Sequence, residues 1–245
     1  MEFNVIKHHS NTENVLLIFS PSDTKYLLYK FPFNGDKIQL RDTAGKYYFT
    51  KNKTNVFDKI KHLCKGKNIY IIGISKAGYV SLEIAKFLSE SFKNTTIKVY
   101  LFNPMLILDK KIKEKENIIM PPSLLSFLKK DSKDITETNN LFVNKRFDLI
   151  YTYSSGSFTD NLNFEYFKKY VDYYYKLDIT SHNCIFPFLK HVTQNTNLDH
   201  DGFNTASYSK NDYNFININF NNKLMSLDNL VNTNILIDKK IYNKN

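Results

Sequence analysis

Apolar residues along this chain of 245 amino acids fall into short runs of two kinds. Continuous runs closed by polar or turn-forming residues read as buried strands: Asn14 to Phe19, Lys37 to Leu40, Asn68 to Ile72, Ile97 to Phe102, Phe147 to Tyr153 and Tyr174 to Ile179. Between them, apolar positions recur at helical spacing. Val56, Phe57, Ile60 and Leu63 show it, with Gly66 as a stop signal, and so do Tyr79 to Ser89, Leu162 to Tyr173 and Cys184 to Val192. Alternating strands and helices predict an α/β domain over residues 1–192, with a mostly parallel sheet and helices on both faces.

The regular pattern loosens between Met105 and Arg146, where Pro121-Pro122-Ser123 introduces one short helix, Leu124 to Lys129. Residues 105–146 therefore read as a small cap insertion over the carboxyl edge of the sheet, the edge where such folds bind ligands. Past Val192 the composition turns to Asn, Thr and Asp. In this extension, 193–245, the alternation from Tyr213 to Phe220 predicts an edge strand or a piece that docks a partner.

A formal net charge of +10 predicts attraction to anions: a phosphorylated cofactor, an acidic polymer or an anionic membrane surface. The lysines are dispersed, densest at Lys110-Lys111-Ile112-Lys113-Glu114-Lys115, and no nucleic-acid motif accompanies them, so nucleic acid is not an expected partner. The two cysteines, Cys64 and Cys184, lack metal-ligand spacing and read as buried thiols; no metal site is expected. Met1 to Ser10 lacks the apolar stretch of a signal peptide, and no run approaches the roughly 20 apolar residues of a membrane span. These readings predict a cytoplasmic protein, at most peripheral at the inner face of the membrane. Oligomeric state leaves no signature in the sequence.

Chemistry is concentrated at Gly73-Ile74-Ser75-Lys76-Ala77-Gly78, between a predicted strand and a predicted helix. A strand that turns sharply into a helix with serine at the bend presents the hydroxyl above the sheet, beside the first helical N–H groups. Serine needs a base to become nucleophilic, and an imidazole fills that role when a carboxylate orients it. In the order Ser, acid, His, the residues that fall in loops after later strands are Asp160 and His182. The plainer roles are helix caps for Ser75 and Asp160 and an ordinary loop histidine for His182. The remaining candidates are placed less well: His62 and His191 on helices, Asp148 and Asp178 within strands, and His8, His9 and His200 in weakly patterned segments. The expected oxyanion donors are the N–H of Lys76 and a second from Ser20 or Ser22, since Pro21 has none. The Lys76 side chain either draws an anionic substrate towards Ser75 or is simply solvated.

With these residues the chain resembles α/β-hydrolase-type proteins of bacterial surface-polysaccharide loci, including capsule O-acetyltransferases with a Gly-x-Ser-Lys/Met-Gly-Gly elbow. The elbow, Leu40-Arg41-Asp42 followed by Tyr47-Tyr48, and His182-Asn183 before Ile185 to Leu189 carry the resemblance, which spans Asn14 to Val192. Ala77 stands where that family has glycine. The resemblance implies Ser75, Asp160 and His182 as a triad. It also implies acetyl transfer from acetyl-CoA through acyl-Ser75 to a sugar hydroxyl of a polysaccharide acceptor. The same three residues suit an esterase, in which water takes the acyl group. A third expectation is an accessory protein of glycan assembly without catalysis.

Overall fold

A computed structural model describes residues 2–6, 12–24, 26–28, 33, 35–49, 52–117, 134–177, 182 and 184. Its strands are β1 (Glu2–Ile6), β2 (Asn14–Phe19), β3 (Asp36–Arg41), β4 (Asn68–Ile74), β5 (Ile97–Phe102), β6 (Asp148–Ser154) and β7 (Tyr173–Leu177). Its helices are α1 (Lys53–Cys64), α2 (Gly78–Ser91), α3 (Lys110–Lys115), α4 (Ile135–Asn140) and α5 (Phe158–Phe167). The strands form one sheet in the order β1-β3-β2-β4-β5-β6-β7. β2 to β7 run parallel, and β1 closes one edge antiparallel to β3, from Glu2↔Arg41 to Ile6↔Lys37. Nothing before Asn14 reads as a strand in the sequence. A run of five residues is too short to declare itself, and its pairing with β3 defines it.

The order of winding decides where a ligand goes. After β3 the chain crosses back over β2 and lays β4 on its other side, and each later strand adds outward. The connections of β2 and β4 thus leave in opposite directions, opening a crevice at the carboxyl ends of these two neighbours. This is an α/β-hydrolase architecture.

The sheet is dry on both faces. On one, Leu17, Ile71, Val99 and Leu149 pack in a single cluster with Ile60 of α1, Ile84 and Leu88 of α2 and Phe164 and Phe167 of α5. On the other, Leu16, Ile18, Ile72 and Phe102 are equally buried, and the Phe33 ring lies 5.8 Å from that of Tyr70. Burial on both sides is why these strands appear as continuous apolar runs rather than alternating ones. Each such side chain contributes about 1.5 to 3 kcal/mol relative to exposure.

Element edges moved where capping overrode periodicity. α5 begins at Phe158, four residues before the apolar pattern suggests, because the Ser157 hydroxyl accepts the Asp160 N–H at 3.4 Å and caps the helix. Asp160 therefore sits in the first helical turn, not in a loop and not at the cap. In the insertion, the Asp109 carboxylate caps α3 through the N–H groups of Lys111 (2.8 Å) and Ile112 (3.4 Å). It also accepts the Ile135 N–H of α4 at 3.3 Å, joining the two described parts of the segment. The helices expected over 124–129 and, beyond Cys184, over 185–192 lie outside the described residues, as do the extension 193–245 and its strand 213–220. Cys64 and Cys184 are free and buried, and burial pushes the Cys64 thiol up to about 12.

Candidate active site

The elbow is built by local crowding. β4 ends at Ile74, Ser75 takes a left-handed φ of 50°, and a 3₁₀ turn over Ser75–Ala77 leads into α2. A non-glycine residue at positive φ is strained and persists only when its surroundings fix it. Here the Ser75 carbonyl accepts two N–H groups, from Gly78 and from Met105 (2.9 Å). Both flanking glycines are required by close approach. A Cβ on Gly73 would lie 2.3 Å from Ser81 Oγ and 2.9 Å from Leu101 Cδ2, and one on Gly78 would lie 2.3 Å from Pro104 Cβ. Ala77 is fully buried, so the turn accommodates a methyl at this position.

The fold brings Ser75 of the elbow, Asp160 of α5 and His182 into one relay. His182 Nε2 lies 2.8 Å from Ser75 Oγ, and its Nδ1 lies 2.7 Å from Asp160 Oδ1. An ionised carboxylate only accepts, so it selects the tautomer with the proton on Nδ1 and leaves Nε2 to accept from the serine. The Asp160 side chain is 2% exposed and that of His182 39%. The carboxylate is thus sheltered while the imidazole stays open to solvent. α5 delivers Asp160 because Asp160, Asn163, Phe164 and Phe167 share one buried face, and Phe164 stacks on Tyr153 of β6 at 4.1 Å.

Asn103, at the end of β5, is the residue that the sequence reading missed. It is 1% exposed at a φ of 45°. Its Nδ2 donates to Asp160 Oδ2, its Oδ1 accepts the Cys184 N–H at 3.1 Å, and its own N–H donates to Thr152 O at 2.9 Å. The available signal was its place: asparagine, tolerant of left-handed backbone, between a parallel strand and Pro104. Asn163 does similar work, with Oδ1 accepting the N–H groups of Leu106 (2.9 Å) and Ile107 (3.0 Å).

Leu40-Arg41-Asp42 and Tyr47-Tyr48 shape the neighbouring loops. Asp42 is fully buried and accepts the N–H of Tyr48 (2.8 Å) and of Ala44 (3.3 Å). The Tyr48 hydroxyl reaches Ser20 O at 2.6 Å, and Arg41 Nη1 donates to Thr24 O at 2.5 Å. The loop after β3 thereby holds the loop after β2 beside Ser75. Burial, with Asp42 alongside, pushes the Tyr48 phenol up, so it remains a neutral donor.

In that loop both expected donors have partners. The Ser20 N–H donates to Leu40 O at 2.9 Å as an extension of the sheet, and the Ser22 N–H donates to Ser20 Oγ at 3.1 Å. Both N–H groups are therefore engaged within the protein in this arrangement. Lys76 follows the serine at the start of the helical turn, where N–H groups lack partners within the helix. Its ammonium lies 5.9 Å from the centroid of the Tyr47 ring.

Of the other candidates, His62 is exposed in the last turn of α1 and Asp148 is exposed at the start of β6; His8, His9, His191, His200, Asp178 and Asn183 lie outside the described residues. Among the described residues no three His, Cys, Asp or Glu side chains converge as a metal ion would need. No helix among them is long and apolar enough to cross a membrane.

A scan against protein-family models and a search of curated proteins gave no match. Among solved structures the chain is similar to a protein assigned provisionally as an esterase from Staphylococcus aureus (11% identity, 71% of this chain and 70% of that one, TM-score 0.45). It is also similar to a peroxisomal α/β-hydrolase from Saccharomyces cerevisiae (10%, 71% and 73%, 0.43). A third is an α/β-hydrolase enzyme from a lagoon-sediment metagenome (11%, 72% and 83%, 0.42).

Proposed function

We propose that this chain is a serine esterase, in which Ser75, His182 and Asp160 cleave an ester through an acyl-Ser75 intermediate. The observation that supports this reading is the continuous relay, Ser75 Oγ to His182 Nε2 at 2.8 Å and His182 Nδ1 to Asp160 Oδ1 at 2.7 Å. Ser75 Oγ attacks the acyl carbon while its proton passes to His182 Nε2. The carbonyl oxygen becomes an oxyanion facing the Lys76 N–H. Collapse breaks the bond to the alcohol oxygen, which takes the proton held on His182. Water then attacks the acyl carbon, gives its proton to His182, and Ser75 Oγ recovers it as the carboxylic acid leaves. The buried carboxylate of Asp160 holds the ring and stabilises its cation throughout.

A second reading has a specific support, the net charge of +10, which favours an anionic co-substrate. Acetyl-CoA would acylate Ser75, and a sugar hydroxyl of a polysaccharide, rather than water, would take the acetyl group. One experiment separates the readings. Intact-mass measurement after a fluorophosphonate is expected to show one adduct, on Ser75, absent in Ser75→Ala, and simple aryl esters are expected to turn over only with Ser75 present. Labelling elsewhere, or none, overturns the serine assignment. Acetylation of Ser75 by acetyl-CoA with release of CoA, outpacing aryl-ester turnover, moves the conclusion to the transferase.

A further inference from the structure

We infer that Asn103 is a positioning residue for this site, acting through Asp160 and the backbone beside His182; the inference rests on the serine reading above. Three facts carry it. Its carboxamide occupies the second oxygen of the Asp160 carboxylate, Oδ2, while Oδ1 faces His182 Nδ1. The other end of the same carboxamide accepts the N–H of Cys184, two residues after His182, at 3.1 Å. One planar group therefore spans the acid and the chain segment that carries the base. Its backbone is pinned in turn, by its N–H on Thr152 O of β6 at 2.9 Å.

The same short segment reaches the nucleophile. Pro104 packs so closely on the start of α2 that position 78 admits only glycine, and the Met105 N–H donates to Ser75 O at 2.9 Å. Asn103, Pro104 and Met105 thus touch the acid, the base-bearing segment and the serine turn. These three lie far apart in sequence. A carboxylate with only its Oδ1 engaged could rotate about its own axis; the amide on Oδ2 removes that freedom. An error of about 1 Å in the placement of the base costs on the order of 100-fold in rate.

The test uses Asn103→Gly, because glycine adopts the left-handed backbone of position 103 without strain and removes only the carboxamide. The rate of fluorophosphonate labelling at Ser75 and the steady-state constants for an aryl ester are measured in the unmodified chain, Asn103→Gly, Asp160→Asn and the double variant, each checked for a cooperative melt. Labelling and kcat are expected to fall by about 10- to 100-fold in Asn103→Gly with KM nearly unchanged. In the Asp160→Asn background the same change is expected to cost less than about 3-fold, since the group through which Asn103 acts is already lost. A merely structural asparagine would lose the same factor in both backgrounds. Equal losses, or labelling in Asn103→Gly as fast as in the unmodified chain, overturn the inference and leave the serine reading standing. No labelling of the unmodified chain overturns both.

Discussion

Two buried polar neighbourhoods of this molecule are built on opposite terms. Around Asp160 the groups are matched: one carboxylate oxygen meets His182 and the other the Asn103 amide, whose oxygen meets a backbone N–H in turn. In the insertion, Lys113 of α3 is 1% exposed, and among the described residues its ammonium has no hydrogen-bond partner. Burial lowers it to about 8. A matched buried group can be spent on chemistry at little cost to the fold, whereas an unmatched one only costs stability. Function should therefore depend on the first neighbourhood and stability should suffer in the second.

The largest effect should come from the matched side. Asp160→Asn nearly preserves shape but offers an amide where an acceptor is needed, so ester turnover should drop by about 10⁴-fold while the far-ultraviolet spectrum is kept. A drop below tenfold would show that the acid does not act through His182. Next, Lys113→Met should stabilise the chain by roughly 2 to 4 kcal/mol at pH 7 in urea titrations. The sign follows from proton counting. The folded lysine releases its proton near 8 and the unfolded one near 10.5, so the unfolded chain binds more protons in that window. Stability of the unmodified chain accordingly rises there, and the advantage of methionine, full below pH 8, fades towards 10.5. An unchanged or lower stability would mean that the ammonium is compensated after all.

The smallest effect sharpens the boundary between the two. Among the described residues the Tyr151 hydroxyl is buried without a partner although its ring is in the well-matched region, and burial, with Asp160 nearby, pushes it up. Tyr151→Phe should leave turnover unchanged and alter stability by about 1 kcal/mol or less, in the favourable direction. A fall in turnover on this substitution would place the hydroxyl in the site and blur the contrast.

How much of this was legible depends on the range of each interaction. Strands β2, β4 and β5 and the elbow at Ser75 are stated by contiguous residues, because burial on both faces and the tight turn each leave a local pattern. Asp160 and His182 were legible by their order and placement after later strands. β1 was not, since five residues gain their identity only by pairing with β3. The start of α5 was misjudged because one hydroxyl, Ser157, sets it. That the N–H groups of Ser20 and Ser22 are engaged, one to Leu40 across the sheet and one to a neighbouring side chain, was not legible, because both partners are set by the packing of the loop.

By itself the sequence determined the succession of strands and helices, the bend that carries Ser75, and the order of serine, carboxylate and histidine along the chain. Hydrophobic period, turn chemistry and side-chain pKa are properties of a residue and its near neighbours. Only the tertiary structure decided that Ser75, Asp160 and His182 meet within hydrogen-bond distance and that Asn103 fills the remaining carboxylate oxygen. It also decided that Gly78 must be glycine because Pro104 lies against it. Those outcomes depend on which strands become neighbours, and the reversal of winding between β2 and β4 sets that through the packing of the whole sheet.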